Sequence, residues 1–319
     1  MSDSNPAPLA LFVFNRPDHT ARTLNALARN TMARETPLVI YSDGPRSAAD
    51  EPAVEKVRAL VRAERLAGRF GSVATFEAPE NKGLAASVIS GVSEVLSAYG
   101  RAVVLEDDLL SAPDFLCFMN ACLDYYEKDA KVGSIAGYSP LHRLPRGVSG
   151  DVYALPRNGS HGWATWQDRW QAVDWQAKAY DGFAADGRAR KSFNRAGIDR
   201  ARRLDREMAG RASSWSIRFG FSQFLSETLT VYPRDNRILN IGGDGSGVHG
   251  ARGFAFNTEL SDRPIPFRLG PVREDPRVVA AAARLYGGGR VRAAVRELVQ
   301  RTRGWPPQSV AVARTLAKI

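Results

Sequence analysis

The order of strand-like and helix-like segments in the first 110 residues is the feature that most limits how this chain can fold. Short apolar segments typical of buried strands, at 9–14, 37–41, 73–76 and 102–105, alternate with longer amphipathic segments typical of helices. This alternation predicts a mostly parallel sheet with right-handed crossovers and helices on its faces. We therefore expect an α/β fold in which the carboxyl ends of these four strands share one edge.

Three consecutive acidic residues, Glu106, Asp107 and Asp108, follow the fourth predicted strand. Like charges at the end of a buried strand repel one another and cost desolvation free energy, and a divalent cation with oxygen ligands offsets both. A solvated acidic turn is the alternative for so short a motif. Polar residues at 15–16, 42–44 and 79–83 end the other three strands, so we interpret this edge as a binding site for a phosphorylated ligand.

Composition and missing motifs exclude several classes of protein. The 319 residues are 44% hydrophobic and 24% charged, which is typical of a globular chain. No Gly-x-Gly-x-x-Gly follows the first strand and no Gly-x-x-x-x-Gly-Lys-Ser/Thr occurs, which argues against a nicotinamide dehydrogenase and a P-loop NTPase. The sequence contains neither a secretory leader nor an apolar stretch of membrane-spanning length. Cytoplasmic localisation is therefore expected.

The net charge of +10 is concentrated in two segments, 188–218 and 284–319. Such a surplus favours phosphate-bearing partners or an anionic membrane surface, and a solubilising surface is the alternative. Nucleic acid is not expected as a partner, because no recognisable reading module is present. A basic amphipathic helix is predicted at Val291–Val299. It is compatible with peripheral contact at the inner face of the membrane, with packing on the domain, or with dimerisation.

Six short motifs occur in the order typical of one family of enzymes. They are Phe12–Pro17, Tyr41–Pro45, Asn81–Ala85, Val104–Leu109, Gly162–Trp170 and Gly243–His249. With these motifs the chain resembles bacterial nucleotide-sugar glycosyltransferases of the GT-A fold, and within them the group related to eukaryotic β-1,2-N-acetylglucosaminyltransferase I. The resemblance covers roughly residues 8–250.

The resemblance implies a GT-A glycosyltransferase domain at 8–270, with a nucleotide-binding half at 8–110 and an acceptor-binding half at 111–270. A basic, helical C-terminal tail at 271–319 would follow. The implied activity is metal-dependent transfer of a hexosyl or N-acetylhexosaminyl group, with inversion, from a nucleotide-diphospho-sugar to a glycan or lipid-linked acceptor. A UDP-sugar is the favoured donor, and Mn²⁺ or Mg²⁺ is the implied cofactor.

The resemblance also assigns roles to particular residues. Asp108 is implied as the metal ligand and Asp107 as a partner of the ribose or of the metal site. Arg16 would lie near the nucleotide, Asp43 near the nucleobase, and Lys82 near the base or a phosphate. His249 is a second candidate metal ligand. Turn chemistry is the alternative role for Asp43.

The catalytic base is the least defined part of the predicted site. Relatives carry an Asp before a Ser-Trp-x-Ile-Arg segment, whereas this chain has Ser213 there. A serine without a partner is not a competent base, so Asp244 and Asp168 are the candidates, and an ion pair with a neighbouring arginine is the alternative role of Asp168. A protein of the same fold that binds nucleotide-sugar or carbohydrate without turnover is an alternative function. A sugar-phosphate nucleotidyltransferase is another.

Two further interpretations concern the middle of the chain. Trp163, Trp166 and Trp170 are spaced three and four apart, which predicts one face of a helix packed in the core. His161, two residues before this group, is interpreted as structural.

Overall fold

The computed structural model describes residues 5–141, 143–244 and 260–287. Its strands are β1 (Leu9–Val13), β2 (Pro37–Ser42), β3 (Ser72–Glu77), β4 (Arg101–Glu106), β5 (Leu109–Ser111), β6 (Val132–Ala136), β7 (Val152–Leu155), β8 (Trp163–Trp166), β9 (Leu229–Pro233) and β10 (Ile238–Asn240). Its helices are α1 (Pro17–Ala28), α2 (Glu51–Ala67), α3 (Leu84–Tyr99), α4 (Phe115–Tyr126), α5 (Gln167–Gln171), α6 (Tyr180–Ala185), α7 (Gly187–Phe193), α8 (Arg200–Met208), α9 (Trp215–Leu225) and α10 (Pro276–Gly287).

Eight strands form one sheet in the order β3-β2-β1-β4-β8-β6-β9-β7. Four neighbouring pairs, β1–β2, β1–β4, β2–β3 and β6–β9, are parallel, and the other three are antiparallel. Phe12 of β1 lies opposite both Tyr41 of β2 and Glu106 of β4. The prediction of a mostly parallel sheet flanked by helices is therefore confirmed, and β1, β2 and β4 end at the same edge.

Helices cover both faces of the parallel half of the sheet. On one face, Leu9 and Leu11 pack with apolar residues of α1, α2 and α4. On the other, Ala10 and Phe12 pack with α3 and with the aromatic residues near α9. Because both faces are covered, every residue of β1 is buried, as is typical of a central parallel strand. In β3, at the sheet edge, exposed residues alternate with half-buried ones.

The three tryptophans of the middle segment are all buried, so the prediction of core packing is confirmed, but they do not share one helix. Trp163 and Trp166 lie on β8, and Trp170 lies on α5. Trp163 packs with Trp170 and the other aromatic residues on one face, while Trp166 belongs to the core on the other face. This is the expected result for a strand, because side chains three residues apart on a strand point to opposite faces.

A second, two-stranded sheet supports the region that follows the acidic residues. β5 begins at Leu109 and pairs antiparallel with β10, with Asn240 opposite Leu109. Behind it, Nε of the buried Arg237 donates to Oδ2 of Asp114 at 3.0 Å, and its guanidinium lies 4.3 Å from the ring centroid of Phe118. This pairing carries residues 241–244 back to the edge where β4 ends.

The first part of the predicted C-terminal tail belongs to the packed structure. Val278, Val279 and Ala282 of α10 are buried in a cluster with Tyr153 and Tyr232. The apolar face of α10 therefore covers the aromatic residues of β7 and β9. The rest of the tail, including Val291–Val299, lies outside the described residues. None of the described helices combines the length and apolarity that a membrane span requires.

Candidate functional site

Arg16 joins the ends of β1 and β4 at the shared edge. Its Nη2 donates to Oδ1 of Asp107 and, at 3.0 Å, to Oδ2 of Asp108. The backbone N–H of Phe14 donates to the other oxygen of Asp107 at 3.4 Å. The side chains of Arg16, Asp107 and Asp108 are only 17%, 5% and 14% exposed. The structure thus brings these three predicted residues together in a largely desolvated cluster.

Burial and neighbouring charges shift the pKa values of Arg16 and Asp107. Burial alone would lower the pKa of Arg16, but Asp107 and Asp108 raise it above the usual value. Burial raises the pKa of Asp107, and Arg16 only partly opposes this effect. The guanidinium therefore stays charged, while burial disfavours the ionised form of the Asp107 carboxyl group.

Glu106 belongs to the acidic triplet, but the resemblance assigns it no role of its own. Burial raises its pKa to about 8, and the negative charges of Asp108 and then Asp107 add to the effect. Its carboxyl group has no hydrogen bond to another residue in the described part of the chain. An acid held partly protonated by burial and by neighbouring negative charges would release its proton when a cation approaches.

The segment after β10 lies directly on the acidic residues. The backbone N–H of Ile241 donates to the carbonyl oxygen of Asp108 at 2.9 Å. A methyl group added at Gly242 would lie 2.1 Å from Oδ2 of Asp108 and 3.1 Å from Nη1 of Arg16. This close approach explains the glycine at 242. It also brings the backbone of Asp244, at the end of a short 3₁₀ turn, near the cluster; the Asp244 side chain lies outside the described atoms.

Asp43 holds two loops together at the end of β2. Its Oδ1 accepts the backbone N–H groups of Gly44 and Lys82 at 2.9 and 2.8 Å. Its Oδ2 accepts the N–H of Gly83 at 2.9 Å and Nδ2 of Asn81 at 3.1 Å. The backbone N–H of Asp43 donates to the carbonyl of Val13, so this clamp adjoins the end of β1. Lys82 is brought to the same edge with its side chain exposed.

His161 lies close enough to the acidic residues to interact with them electrostatically. Burial lowers its pKa, and the negative charge of Asp108 partly opposes this shift. Its ring packs edge-on against Tyr138, with centroids 5.4 Å apart. A neutral imidazole can donate a hydrogen bond to a carboxylate. The position of His161 is therefore compatible with a role at the acidic edge as well as with a structural role. The sequence carries no local signal of this proximity, which results from β8 pairing with β4.

Asp168 is not brought to this edge. β8 runs antiparallel to β4, so Trp166 lies opposite Arg101 at the start of β4. At ~3.3 Å per residue along β4, this places Asp168 on the order of 17 Å or more from the acidic residues. Its side chain is 69% exposed and pairs with Arg169 at 2.6 Å. The ion pair considered as the alternative from the sequence is the observed arrangement.

No carboxylate stands before α9, at the position where the resemblance drawn from the sequence predicts an acid. Ser213 is exposed, and the N–H of the next residue, Ser214, donates to Glu207 at 2.8 Å. Glu207 is buried and also pairs with Arg218 at 2.7 Å, so its negative charge is already balanced by an arginine. Trp215 stacks on Trp163 with ring centroids 4.7 Å apart. The segment before α9 and the start of that helix therefore contribute to packing, and among the described residues they supply no unpaired carboxylate that could act as a base.

The acidic edge fits a divalent cation only together with a ligand that supplies further oxygen atoms. Both oxygens of Asp107 accept protein hydrogen bonds, whereas Asp108 accepts one from the described residues at Oδ2 alone. Within the described residues, no three metal-ligating side chains form a ready-made site. Mg²⁺ is commonly held by one or two carboxylates plus substrate phosphates and water. His249, the other candidate ligand, lies outside the described residues.

Comparisons with known proteins give no family assignment. No family model matches the chain, and no curated protein matches it. Among solved structures, it is similar to the mannosyltransferase PcManGT from Pyrobaculum calidifontis in complex with GDP-Man and Mn²⁺. That match has 17% identity and a TM-score of 0.34, over 52% of this chain and 48% of that chain. It is also similar to S. aureus TarS, with 11% identity and a TM-score of 0.38, over 72% of this chain and 36% of that one. The chain thus spans about half or less of each of these two structures.

Proposed function

We propose that this chain is a glycosyltransferase of the GT-A fold that moves a sugar from a nucleotide-diphospho-sugar to a hydroxyl group of an acceptor. The observation that carries the proposal is the cluster of Arg16, Asp107 and Asp108 at the common carboxyl edge of β1 and β4. It combines an arginine, which suits a diphosphate, with carboxylates, which suit the divalent cation of a nucleotide complex. In open α/β sheets this edge is where ligands bind.

Each member of the cluster has a role in this proposal. Asp108, with Glu106 beside it, would hold Mn²⁺ or Mg²⁺ together with the diphosphate, and His249 is a further proposed ligand. The bound cation would supply Lewis-acid stabilisation of the charge that develops on the leaving diphosphate. Asp107 fixes the guanidinium of Arg16 through its Oδ1, and Arg16 would orient the nucleotide. Lys82, exposed at the same edge, would contact the base or a phosphate.

The reaction needs a base for the acceptor hydroxyl. As the bond from the anomeric carbon to the diphosphate oxygen breaks, the acceptor oxygen forms the new bond and its proton passes to a carboxylate. We propose Asp244, because its backbone is two residues from Gly242, which contacts Asp108. Attack from the side opposite the leaving group would invert the configuration. Asp168 is not retained for this role, since it lies at the opposite edge of the sheet.

An activity assay tests this proposal. It measures the release of nucleoside diphosphate from a panel of UDP-, GDP-, CDP- and dTDP-sugars, in the presence of Mn²⁺ and a mixture of glycan and lipid-phosphate acceptors. We expect release with one nucleotide, which Asp108→Asn abolishes. Asp168→Asn is the matched control, because Asp168 is also paired with an arginine but at the far edge, and it should retain activity. Equal activity of the two variants would contradict the assignment.

One observation favours a second function, a protein of the same fold that binds nucleotide-sugar without turnover. Ser213 stands where an acid is expected, and the nearby Glu207 is already paired. Under this alternative, nucleotide binding would persist with no release of nucleoside diphosphate. Preference for UDP, cytoplasmic localisation, membrane contact and a closer relation to the N-acetylglucosaminyltransferase I group remain proposals.

A further inference from the structure

A cavity of about 430 Å³ lies near the start of β6 and β9, where Gly133 and Thr228 line it. The ends of α4 and α9 and the segment around α5 form the rest of its wall. Asp168, which the pairing of β8 with β4 places at the sheet edge opposite the acidic residues, belongs to this lining. Small-molecule sites commonly have volumes of roughly 300–1,000 Å³. The cavity is therefore a candidate site separate from the acidic edge.

A β-bulge at Gly133 shapes one wall of this cavity. The register of β6 with β9 shifts between Val132 and Ser134, so that Gly133 is the extra residue of the bulge. A methyl group added at Gly133 would lie 2.5 Å from Nε2 of Gln223 and 2.6 Å from Oγ1 of Thr228. Glycine at this position therefore allows two polar side chains of the lining to approach the strand closely.

Gln223 is a lining residue whose side chain is fixed by the protein. The residue is only 6% exposed. Its Nε2 donates to Oγ of Ser134 at 3.0 Å, and its Oε1 accepts from Oγ1 of Thr230 at 3.4 Å. A carboxamide held in one orientation presents a defined donor and acceptor, as is typical of sites that recognise a ligand by its hydrogen bonds.

The charged residues of the lining balance one another. Two are acidic, Glu127 and Asp168, and two are basic, Lys128 and Arg169. Both oxygens of Asp168 accept from Nη1 of Arg169, at 2.8 and 2.6 Å, and the guanidinium lies 4.7 Å from the ring centroid of Trp166. An ionic ligand would bring a charge that this lining does not complement. The cavity is therefore better suited to an uncharged ligand than to a phosphate or a cation.

The neutral residues of the lining provide both hydroxyl groups and apolar surface. Ser222, Ser226 and Thr228 each carry a hydroxyl group, which can donate and accept. Ala172 and Val173, directly after α5, add apolar surface. From this combination we propose that the cavity binds a sugar unit of a neutral glycan, because a pyranose is uncharged and presents several hydroxyl groups around an apolar ring face. Nucleotide and Mn²⁺ take no part in this binding, so it does not depend on the proposed function.

The test measures sugar binding by calorimetry and ligand-observed NMR, without nucleotide or Mn²⁺. The probes are glucose, galactose, mannose, rhamnose, N-acetylglucosamine and their disaccharides, with glucose 6-phosphate as the charged comparison. Ala172→Trp would fill the cavity with an indole ring, and the matched control is Ala63→Trp, at another exposed alanine, on α2. Thr228→Val is a second variant, which removes one lining hydroxyl group with little change of volume. Urea unfolding verifies that each variant is folded.

We expect at least one neutral sugar to bind the wild type and Ala63→Trp equally. Ala172→Trp should bind it at least about tenfold more weakly, because the indole ring would occupy the space that encloses the ligand. Thr228→Val should weaken binding about three- to tenfold by removing a hydrogen-bond partner. Asp108→Asn should bind the sugar like the wild type, since Asp108 lies at the other edge of the sheet.

Three results would overturn the inference: no binding of any neutral sugar, tighter binding of glucose 6-phosphate than of every neutral sugar, or unchanged binding in both Ala172→Trp and Thr228→Val. Loss of sugar binding in Asp108→Asn would also overturn it, by assigning the sugar to the acidic edge. Nucleotide binding, followed in parallel, separates these results from failure of the proposed function, which would appear as no nucleotide binding in any protein.

Discussion

Replacing Asp43 by Asn tests whether this carboxylate acts through the loops it joins. Asp43 accepts four hydrogen bonds, two on each oxygen, of which three come from backbone N–H groups. Asn keeps one accepting oxygen, so two of these bonds are lost. Turning the amide of Asn81 to accept from the new NH₂ group would recover no bond overall, because Nδ2 of Asn81 also donates to the carbonyl oxygen of Gly44 at 2.9 Å. At about 1.5–3 kcal/mol for each hydrogen bond to a charged group, we expect a loss of ~3–6 kcal/mol in the free energy of unfolding.

The assay pairs urea unfolding with calorimetric titration of UDP, CDP, GDP and dTDP. Because the loop at 80–83 would shift as a whole, affinity should fall by a similar factor for every nucleotide that binds. Asp262→Asn, at an exposed aspartate, is the control and should change neither quantity. Unchanged stability together with loss of affinity for a single nucleobase would refute this reasoning, and would instead support the direct contact with the base that the sequence implies.

Three further variants test other parts of the account. The pKa of Glu106 is raised in the folded state, so its stabilising contribution is present below about pH 4 and is lost as the pH rises through about 8. Glu106→Gln should therefore flatten the decline of unfolding free energy between these values by on the order of 5 kcal/mol, and an unchanged pH profile would contradict the shift. Gly242→Ala should weaken nucleotide binding at least about tenfold because its methyl would collide with the Asp108 carboxylate, whereas Gly243→Ala, with nothing within 4 Å, should not. Arg237→Ala should cost ~3–5 kcal/mol by leaving a buried carboxylate unpaired, as measured by urea unfolding. The exposed Arg234→Ala should cost less than about 0.5 kcal/mol, and similar losses in both would refute the role of burial.

The parallel half of the fold and the acidic edge could be predicted because their signals are local. Each of the first four strands is a continuous apolar segment between amphipathic helices, and the polar residues follow directly at the strand ends. Once the strands are parallel, Arg16, Asp107 and Asp108 are expected at one edge of the sheet. Their direct contact depends in addition on the pairing of β4 with β1. The sequence does not predict that the carboxylate of Asp43 accepts hydrogen bonds from the backbone of Lys82 and Gly83, because these residues lie almost forty positions further along the chain.

The second half could not be predicted because its arrangement depends on pairing between distant segments. β8 inserts antiparallel between β4 and β6, and this single choice brings His161 near Asp108 and sends Asp168 to the opposite edge. β5 and β10 are three residues each, too short for a recognisable pattern, yet their pairing positions Gly242 on Asp108. Tertiary context decides both features, and local propensity does not.

The most direct test of the central claim is a calorimetric titration of nucleoside diphosphates, with and without Mn²⁺, into the wild type, Asp108→Asn and Asp168→Asn. The account predicts binding of one nucleotide that depends on Mn²⁺, disappears in Asp108→Asn and persists in Asp168→Asn. Binding that is absent in all three proteins, or that survives equally in Asp108→Asn, would contradict a nucleotide-diphosphate site at the end of β4.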